Sequence, residues 1–225
     1  MVGFNQRWLE YYDYNTTYPM ASKFIDLNGG ILKALSPCRS FLAVVMRDKP
    51  QINIIDLKSK KVEWILHKPE GEVNHITFST CGKLLASANS DGLIRIWDLK
   101  TTPKVSEQEK SQEPKLSLKT YSEPLTVGFN QLGNLLITVD KSRNLAIHDR
   151  ETAKEICRWR NDGAAVRSTC FTPDGKFVIA GCLDGTIKLW STQGKQLRST
   201  QAHTLGVGAV VCIPFFPKAK TLTKI

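Results

Sequence analysis

The chain has 225 residues, of which 41% are hydrophobic and 23% charged, a composition typical of a soluble globular protein with one sizeable domain. No apolar run reaches the roughly 18 residues that a membrane span needs, and the start of the chain lacks the pattern of a secretory signal. The formal net charge of +10 favours an acidic partner: RNA, an acidic protein tail or a membrane surface.

The first 23 residues are rich in aromatic side chains and contain no clear strand pattern. We therefore predict that residues 1–23 form an extension ahead of the repeats. Four tyrosines in it are expected either to anchor an interface or to pack on the side of the domain: Tyr11, Tyr12, Tyr14 and Tyr18. The next residues, 24–27, fit an outer strand of a sheet.

Four later segments align with one another: 31–57, 73–99, 125–150 and 166–191. In each, an apolar residue ends the predicted first strand: Leu35, Phe78, Phe129 and Phe171. An aspartate is expected in the turn between the second and third strands: Asp48, Asp91, Asp140 and Asp184. The third strand ends at Asp56, Asp98, Asp149 and Ser191. The first and third intervals between these landmarks are 42–44 residues, which is the period of a four-stranded β-propeller blade, and the second is 49–51 residues.

The predicted fold class is therefore all-β: a propeller of four complete blades and a partial fifth, incomplete or open. The repeat domain spans 24–225, with blades at about 24–66, 73–120, 124–159 and 165–200 and the partial blade at 204–225. Residues 101–114 are rich in charge and proline and cannot bury apolar area, so we predict a flexible loop inside the second repeat.

The pattern after residue 200 leaves open how the propeller is completed. His203 and Val207 have the spacing expected at the start of a blade, and the pattern decays after Pro214. Three explanations compete: a fragment or shortened form of a larger propeller, a small propeller closed by terminal strands, or completion by another chain. Closure by some route is expected, because an open sheet edge leaves backbone groups unpaired.

The residues SANSDGLIRIWDL (87–99) and FTPDGKFVIAGCLDGTIKLW (171–190) resemble the WD-repeat family, whose signature dipeptide matches Trp97-Asp98. The resemblance covers about residues 25–213. It implies a mostly non-catalytic propeller in which His, Ser, Asp and Trp form a hydrogen-bonded tetrad in each blade. The positions that match this tetrad are Ser87, Asp91, Trp97, Asp184 and Trp190. His67 is a candidate for the histidine, at a longer spacing than the family's.

The resemblance also implies a partner-binding surface at the turns between second and third strands. The matching positions are Asn74, Ser90, Lys141, Ser142, Arg143, Arg167 and Leu183. Arg143 and Arg167 are the sharpest candidates, because arginine can make bidentate contacts to carboxylate or phosphate groups. The alternative for each is a solvated surface charge.

Catalytic and metal-binding patterns are absent from the sequence. The four histidines, His67, His75, His148 and His203, lack metal-ligand spacing, and no nucleophile or phosphate-binding motif occurs. The six cysteines are single and are expected to be reduced, buried apolar fillers: Cys38, Cys81, Cys157, Cys170, Cys182 and Cys212. We therefore expect no enzyme activity, no metal, no cofactor and no small-molecule substrate.

The functional prediction is a non-catalytic scaffold that mediates protein–protein interactions within a multi-subunit complex of the cytoplasm or nucleus. Its partners are expected to be proteins with acidic surfaces. The alternative is a ribonucleoprotein component that contacts RNA through a basic surface.

Overall fold

The computed structural model describes residues 34–46, 49, 51–67, 71–100, 113–210 and 212, together with the backbone at 3–4, 8–11, 23–26 and 30–33. Within these ranges no helix is long and apolar enough to cross a membrane. Asp48 and most of the predicted loop, residues 101–112, lie outside the described residues.

The N-terminal strands form a three-stranded antiparallel sheet in the order β1-β2-β3. These are β1 (Gly3–Phe4), β2 (Trp8–Tyr11) and β3 (Lys23–Asp26). The sequence of residues 1–23 shows no clear strand pattern, but the structure has β1 and β2 there. Strands of two and four residues carry too few residues for a periodic signal. The four tyrosine side chains lie outside the described residues.

Four antiparallel sheets follow, each with four strands paired in chain order. Blade 1 contains β4 (Gly30–Leu35), β5 (Phe41–Met46), β6 (Gln51–Asp56) and β7 (Val62–His67). Blade 2 contains β8 (Val73–Phe78), β9 (Leu84–Asn89), β10 (Leu93–Asp98) and β11 (Leu116–Lys119). Blade 3 contains β12 (Pro124–Phe129), β13 (Leu135–Asp140), β14 (Asn144–Asp149) and β15 (Glu155–Arg160). Blade 4 contains β16 (Val166–Phe171), β17 (Phe177–Cys182), β18 (Thr186–Ser191) and β19 (Gln196–Gln201).

This all-β architecture of four blades confirms the predicted fold class, and the described sheets do not close into a ring. The first and third strands of each blade end at the landmark residues of the repeat. Beyond blade 4, the described residues 202–210 and 212 contain no strand. There, the N–H of Val207 donates to the carbonyl of Cys182 in blade 4 (2.9 Å).

Burial follows the position of each strand in its blade. All six residues of β9 are buried, whereas all six residues of β19 are exposed. In blade 2, β9 lies between the apolar cores shared with blades 1 and 3, so residues on both of its faces are buried where a half-exposed strand would alternate. Such strands hold the blades together through their side chains.

Each pair of neighbouring blades shares an apolar core. Trp64, Leu85 and Trp97 belong to the cluster between blades 1 and 2, and Trp97 is fully buried. Ile137 and Trp190 belong to the equivalent cluster between blades 3 and 4. Because each sheet packs on the next, the blades are fixed relative to one another by hydrophobic burial.

A polar residue directly after the first strand of each blade, which we call the inner strand, stabilises the turn to the second strand. The side-chain oxygen of each accepts the backbone N–H five residues later, at 2.9 to 3.1 Å: Ser36, Ser79, Asn130 and Thr172. Side chains of this type favour turns because they replace a backbone acceptor. The inner strand of every blade is therefore ended by the same kind of hydrogen bond.

Candidate functional site

The predicted partner-binding residues lie at one edge of the blades, which we call the rim surface: the starts of the inner strands and the turns between second and third strands. Val73 is paired with Asn89 and Val166 with Cys182, so these two features are neighbours in each blade. The rim surface contains Asn74, Ser90, Lys141, Ser142, Arg143, Arg167 and Leu183.

A β-bulge recurs at the start of all four inner strands. In every case one residue is left out of the pairing with the second strand: Lys33, Asn74, Leu125 and Arg167. A bulge changes the direction of the strand and of the side chain it carries. Two residues of the predicted partner-binding set, Asn74 and Arg167, therefore occupy equivalent special positions in blades 2 and 4.

Asn74 and Lys141 meet at Glu123, a residue that the sequence analysis did not single out. The amide of Asn74 donates to Glu123 Oε1 and to the carbonyl of Pro124, both at 2.9 Å. Lys141 Nζ donates to Glu123 Oε2 (2.5 Å). The hydrogen bonds from Lys141 and then from Asn74 hold the pKa of Glu123 below its ordinary value. This cluster connects blade 2 to blade 3.

Arg143 holds the connection between blades 3 and 4. Its Nη1 donates to the carbonyl of Gly163 (2.5 Å), and its own backbone has a φ of 68°. Nearby, the buried Lys188 donates from Nζ to Asn161 Oδ1 (2.7 Å) and to the carbonyl of Asp162. The Arg143 guanidinium is thus already bonded to the protein, and no sequence motif indicated the buried lysine nearby.

The remaining rim residues differ in exposure. Ser90 Oγ accepts a hydrogen bond from the N–H of Glu72 (3.0 Å), so this hydroxyl stabilises the turn. Arg167 is exposed, and Leu183 has 51% of its surface exposed. Leu205, with 80% exposure, belongs to the segment that packs against Leu183 through Gly206. The rim surface at blade 4 therefore combines a solvent-facing guanidinium with exposed apolar side chains.

The tetrad positions of blade 2 bond to different partners. The buried Ser87 Oγ contacts Asn89 Oδ1 (3.3 Å). The carboxylate of Asp91 accepts two hydrogen bonds from Arg95, at 3.1 and 2.7 Å, and one from the N–H of Leu93. Trp97 is fully buried. Asn89, which the sequence analysis did not consider, also donates to the carbonyl of Leu93 (2.9 Å) and so stabilises the turn from within.

The three other tetrad candidates, His67, Asp184 and Trp190, lie in blades 1 and 4. His67 Nδ1 lies 3.9 Å from Glu113 Oε1, on the outer strand of blade 1. Asp184 accepts hydrogen bonds from the N–H and hydroxyl of Thr186, at 3.0 and 2.6 Å. Trp190 is buried against Trp159, with ring centroids 6.2 Å apart.

Asp140 is not equivalent to the turn aspartates, which corrects the alignment of the sequence analysis. It is the buried last residue of β13, where blade 2 has Asn89, and its carboxylate accepts the backbone and side-chain N–H groups of Asn144, both at 2.9 Å. The turn of blade 3 has no glycine, and Arg143 adopts the left-handed φ that Gly92 has in blade 2. Asp140 lies two positions earlier in blade 3 than Asp91 does in blade 2, so the repeat pattern alone placed the two residues together.

Blade 3 also replaces the signature tryptophan with His148. The buried His148 Nε2 lies 3.2 Å from Thr138 Oγ1, and burial lowers the pKa of its imidazole. A small cavity adjoins this pair, lined in part by Asp140, Tyr121 and Arg158. The exchange of a large indole for a histidine leaves room at this position of the blade.

The cysteines do not share one environment, so the expectation that all are buried fillers is wrong. Cys182 is buried, whereas Cys38 and Cys81 are exposed in the turns after the first strands of blades 1 and 2. A hydrogen bond with Ser36 lowers the pKa of the Cys38 thiol. Burial acts to raise the pKa of Cys81, but bonds with Ser79 and the Lys83 backbone outweigh it and lower the value.

No group of three His, Cys, Asp or Glu side chains that could hold a metal ion is present in the described part of the chain. Asp91, Asp140 and Asp184 make hydrogen bonds within their own turn, and Glu123 and Arg143 bond to the adjoining blade or connection. The arrangement offers surfaces for contact between macromolecules, at the rim and along the outer strands.

Four-stranded antiparallel blades with a repeated bulge, two of them with a buried tryptophan in the third strand, are typical of a β-propeller repeat protein. Residues 154–191 match the family described as WD domain, G-beta repeat, and residues 34–123 match the anaphase-promoting complex subunit 4 WD40 domain. Both matched segments therefore resemble WD-type repeats. Members of the WD-repeat family are generally non-enzymatic scaffolds for protein interaction.

Several curated proteins are similar to this chain. Autophagy-related protein 16 of Arabidopsis thaliana is 29% identical over 142 residues, which covers 57% of this chain and 26% of that protein. WD repeat-containing protein AAC3 of Dictyostelium discoideum is 24% identical, covering 68% and 31% respectively. Protein HIR1 of Candida albicans is 26% identical, covering 76% and 21%. The chain therefore spans between a fifth and a third of the length of these relatives.

Proposed function

We propose that the chain is a non-catalytic scaffold that binds proteins with acidic surfaces within a multi-subunit complex of the cytoplasm or nucleus. The exposure of Arg167, at the β-bulge near the start of β16, carries this proposal. The partner-binding set is Asn74, Ser90, Lys141, Arg143, Arg167 and Leu183. No cofactor and no small-molecule substrate is part of the proposal.

Within this set, the chemistry supports Arg167 and Leu183 as the main contacts. Lys141 and Asn74 are engaged with Glu123, and Arg143 with Gly163, so their first role is to hold adjacent blades. An exposed guanidinium can take a carboxylate in two parallel hydrogen bonds. An exposed leucine beside it adds apolar area, as in the core of a protein interface.

The proposal is tested by comparing two charge reversals, Arg167→Glu at the rim and Arg198→Glu on the exposed outer strand β19. Full chains are used as bait, and the retained proteins are quantified by mass spectrometry. Partners of the rim surface should bind wild type and Arg198→Glu equally and lose about tenfold in affinity with Arg167→Glu, the size of one interfacial charge pair. Equal retention by both variants would contradict the rim surface as the binding site.

Binding of RNA is the second candidate, and the net charge of +10 is the observation that favours it. Contacts with phosphate weaken steeply as salt rises, because bound counterions are released on association. The protein should then retain single-stranded RNA at low salt, and the logarithm of its affinity should fall linearly with the logarithm of the salt concentration. Absence of RNA binding at low salt would remove this candidate and leave the protein-binding proposal unaffected.

A further inference from the structure

Residues 203–210 and 212, which we call the docked segment, lie against blade 4. The Val207 side chain is buried, and its N–H donates to the carbonyl of Cys182 (2.9 Å). Three residues later, the N–H of Val210 donates to Ser168 Oγ (3.1 Å). A β-carbon at Gly181 would lie 2.9 Å from Val207 Cβ, so only glycine at this position lets the segment approach so closely.

The same approach brings two thiols together. Cys170 Sγ on β16 and Cys212 Sγ on the docked segment lie 3.0 Å apart, and both are free thiols. The two residues are 42 positions apart, a separation close to the period of the sequence repeat. A disulfide needs the sulfur atoms about 2 Å apart. Because residues 203–210 and 212 are in no strand, a small shift of that segment supplies the remaining distance.

We propose that Cys170 and Cys212 form a reversible disulfide that fastens the segment 203–212 to blade 4. The oxidant is a low-molecular-weight disulfide of the glutathione class. This inference does not depend on the partner-binding role of the rim surface.

The chemistry proceeds in two exchanges. The Cys212 thiol loses its proton to solvent, and the thiolate attacks one sulfur of the small disulfide, whose S–S bond breaks to release one small thiolate. The Cys170 thiol then loses its proton, attacks the Cys212 sulfur of the mixed disulfide and expels the second thiolate. Two protein thiols are oxidised and one small disulfide is reduced to two thiols, so atoms and electrons balance.

The order of the two steps follows from the environments of the thiols. Burial, followed by the contact with Cys212, raises the pKa of the Cys170 thiol to about 12, so it is a poor first nucleophile. Once Cys212 carries the small thiol, Cys170 is held beside the electrophilic sulfur, and proximity compensates for its low ionisation. Reduction by an excess of small thiol reverses both steps.

The linked peptides provide the direct test. The full chain is incubated with reduced or oxidised glutathione, the remaining thiols are blocked with N-ethylmaleimide, and trypsin is added. Oxidised protein should give a disulfide-linked pair of tryptic peptides, 168–176 and 199–218, that disappears on treatment with dithiothreitol. Glutathione adducts on Cys212 without the linked pair, or a link from Cys170 to any other cysteine, would overturn the proposal.

Backbone exchange gives a second readout that does not require variants to be equally stable. In the oxidised wild type, the amides of Val207 and Val210 should exchange at least about tenfold more slowly than in the reduced protein, because undocking then requires opening of a covalently closed loop. The variant Cys212→Ser should lose this difference, and the matched control Cys157→Ser should keep it. Equal exchange in oxidised and reduced wild type would contradict fastening of the segment.

Discussion

The buried Lys188 shows how one side chain can tie a strand to the connection between two blades. Its ammonium has 7% residue exposure and depends on Asn161 and on the carbonyl of Asp162 for hydrogen bonds. Removing the hydrogen-bond partner of a buried charge lowers stability more than removing the charged group itself. The reason is that the remaining ion has neither water nor an acceptor. The residue therefore acts through its pairing.

This pairing predicts unequal effects of two truncations. Asn161→Ala should lower the free energy of unfolding by about 1–3 kcal/mol, because it leaves the buried ammonium short of an acceptor. Lys188→Met should cost less, because it removes the charge and keeps the aliphatic stem. Urea denaturation measures both, and the exposed Lys195→Met serves as the control with a change within about 0.5 kcal/mol. A larger loss in Lys188→Met than in Asn161→Ala would show that the pairing is misassigned.

The backbone of Arg143 adopts a conformation that is unfavourable for any residue with a β-carbon. Its φ of 68° lies in the left-handed region, where a β-carbon costs roughly 1–2 kcal/mol and glycine is unstrained. Both Arg143→Gly and Arg143→Ala remove the bond to Gly163, so the comparison isolates the backbone. We expect the glycine variant to be more stable than the alanine variant by about 1 kcal/mol in urea denaturation. The reverse order would mean that this turn has another conformation.

At the scale of elements, the strand pair β13–β14 of blade 3 is expected to be sensitive to acid through His148. Burial lowers the pKa of His148 below its ordinary value of 6.5, so the unfolded chain binds this proton more readily than the folded one. The stabilising contribution of the neutral imidazole is complete above pH 6.5 and is lost as the pH falls below it, towards the lowered folded value.

The free energy of unfolding should therefore decrease between pH 7 and pH 5, as measured by urea titration at each pH. In His148→Gln, which keeps a polar group near Thr138 and does not titrate, the decrease should be smaller. The exposed His203→Gln should retain the pH dependence of wild type. An unchanged slope in His148→Gln would assign the acid sensitivity to other groups.

The elements also show what the sequence could and could not predict. The strand ends at Phe78 and Asp98 were predictable, because apolar runs and tight turns alternate along each repeat. The short strand Trp8–Tyr11 has no clear sequence signal, because four residues are too few to establish a periodic pattern. The bulges at Asn74 and Arg167 carry no residue signature and arise only when two strands pair.

The candidate site was predictable in position and less so in its contacts. The family resemblance located the rim surface, but the bonds of Lys141 and Arg143 are made to Glu123 and Gly163, which lie outside the aligned motifs. In contrast, a polar residue directly follows the landmark at the end of each inner strand, as Ser79 follows Phe78 in blade 2. Its role in the turn was predictable from the repeat pattern. Side-chain partners across blades depend on geometry that a one-dimensional pattern does not contain.

At the scale of the whole molecule, each blade shares its apolar core with its neighbours, so stability should be transmitted locally along the row of blades. In repeat proteins the free energy is approximately a sum over units and the interfaces between neighbours. Trp97 lies in the core between blades 1 and 2, and Trp190 in the core between blades 3 and 4. These two residues form a matched pair for testing how far a defect extends.

Each of Trp97→Ala and Trp190→Ala should cost about 3–5 kcal/mol, since both empty a site in a packed core. Residue-resolved hydrogen exchange should show faster opening of β5 and β9 in Trp97→Ala and of β13 and β17 in Trp190→Ala, with the distant pair less affected in each case. Local defects of this kind would mean that the blades behave as coupled neighbours. Equal acceleration in all four blades by either variant would instead mean that they unfold as one cooperative unit, and the nearest-neighbour description would fail.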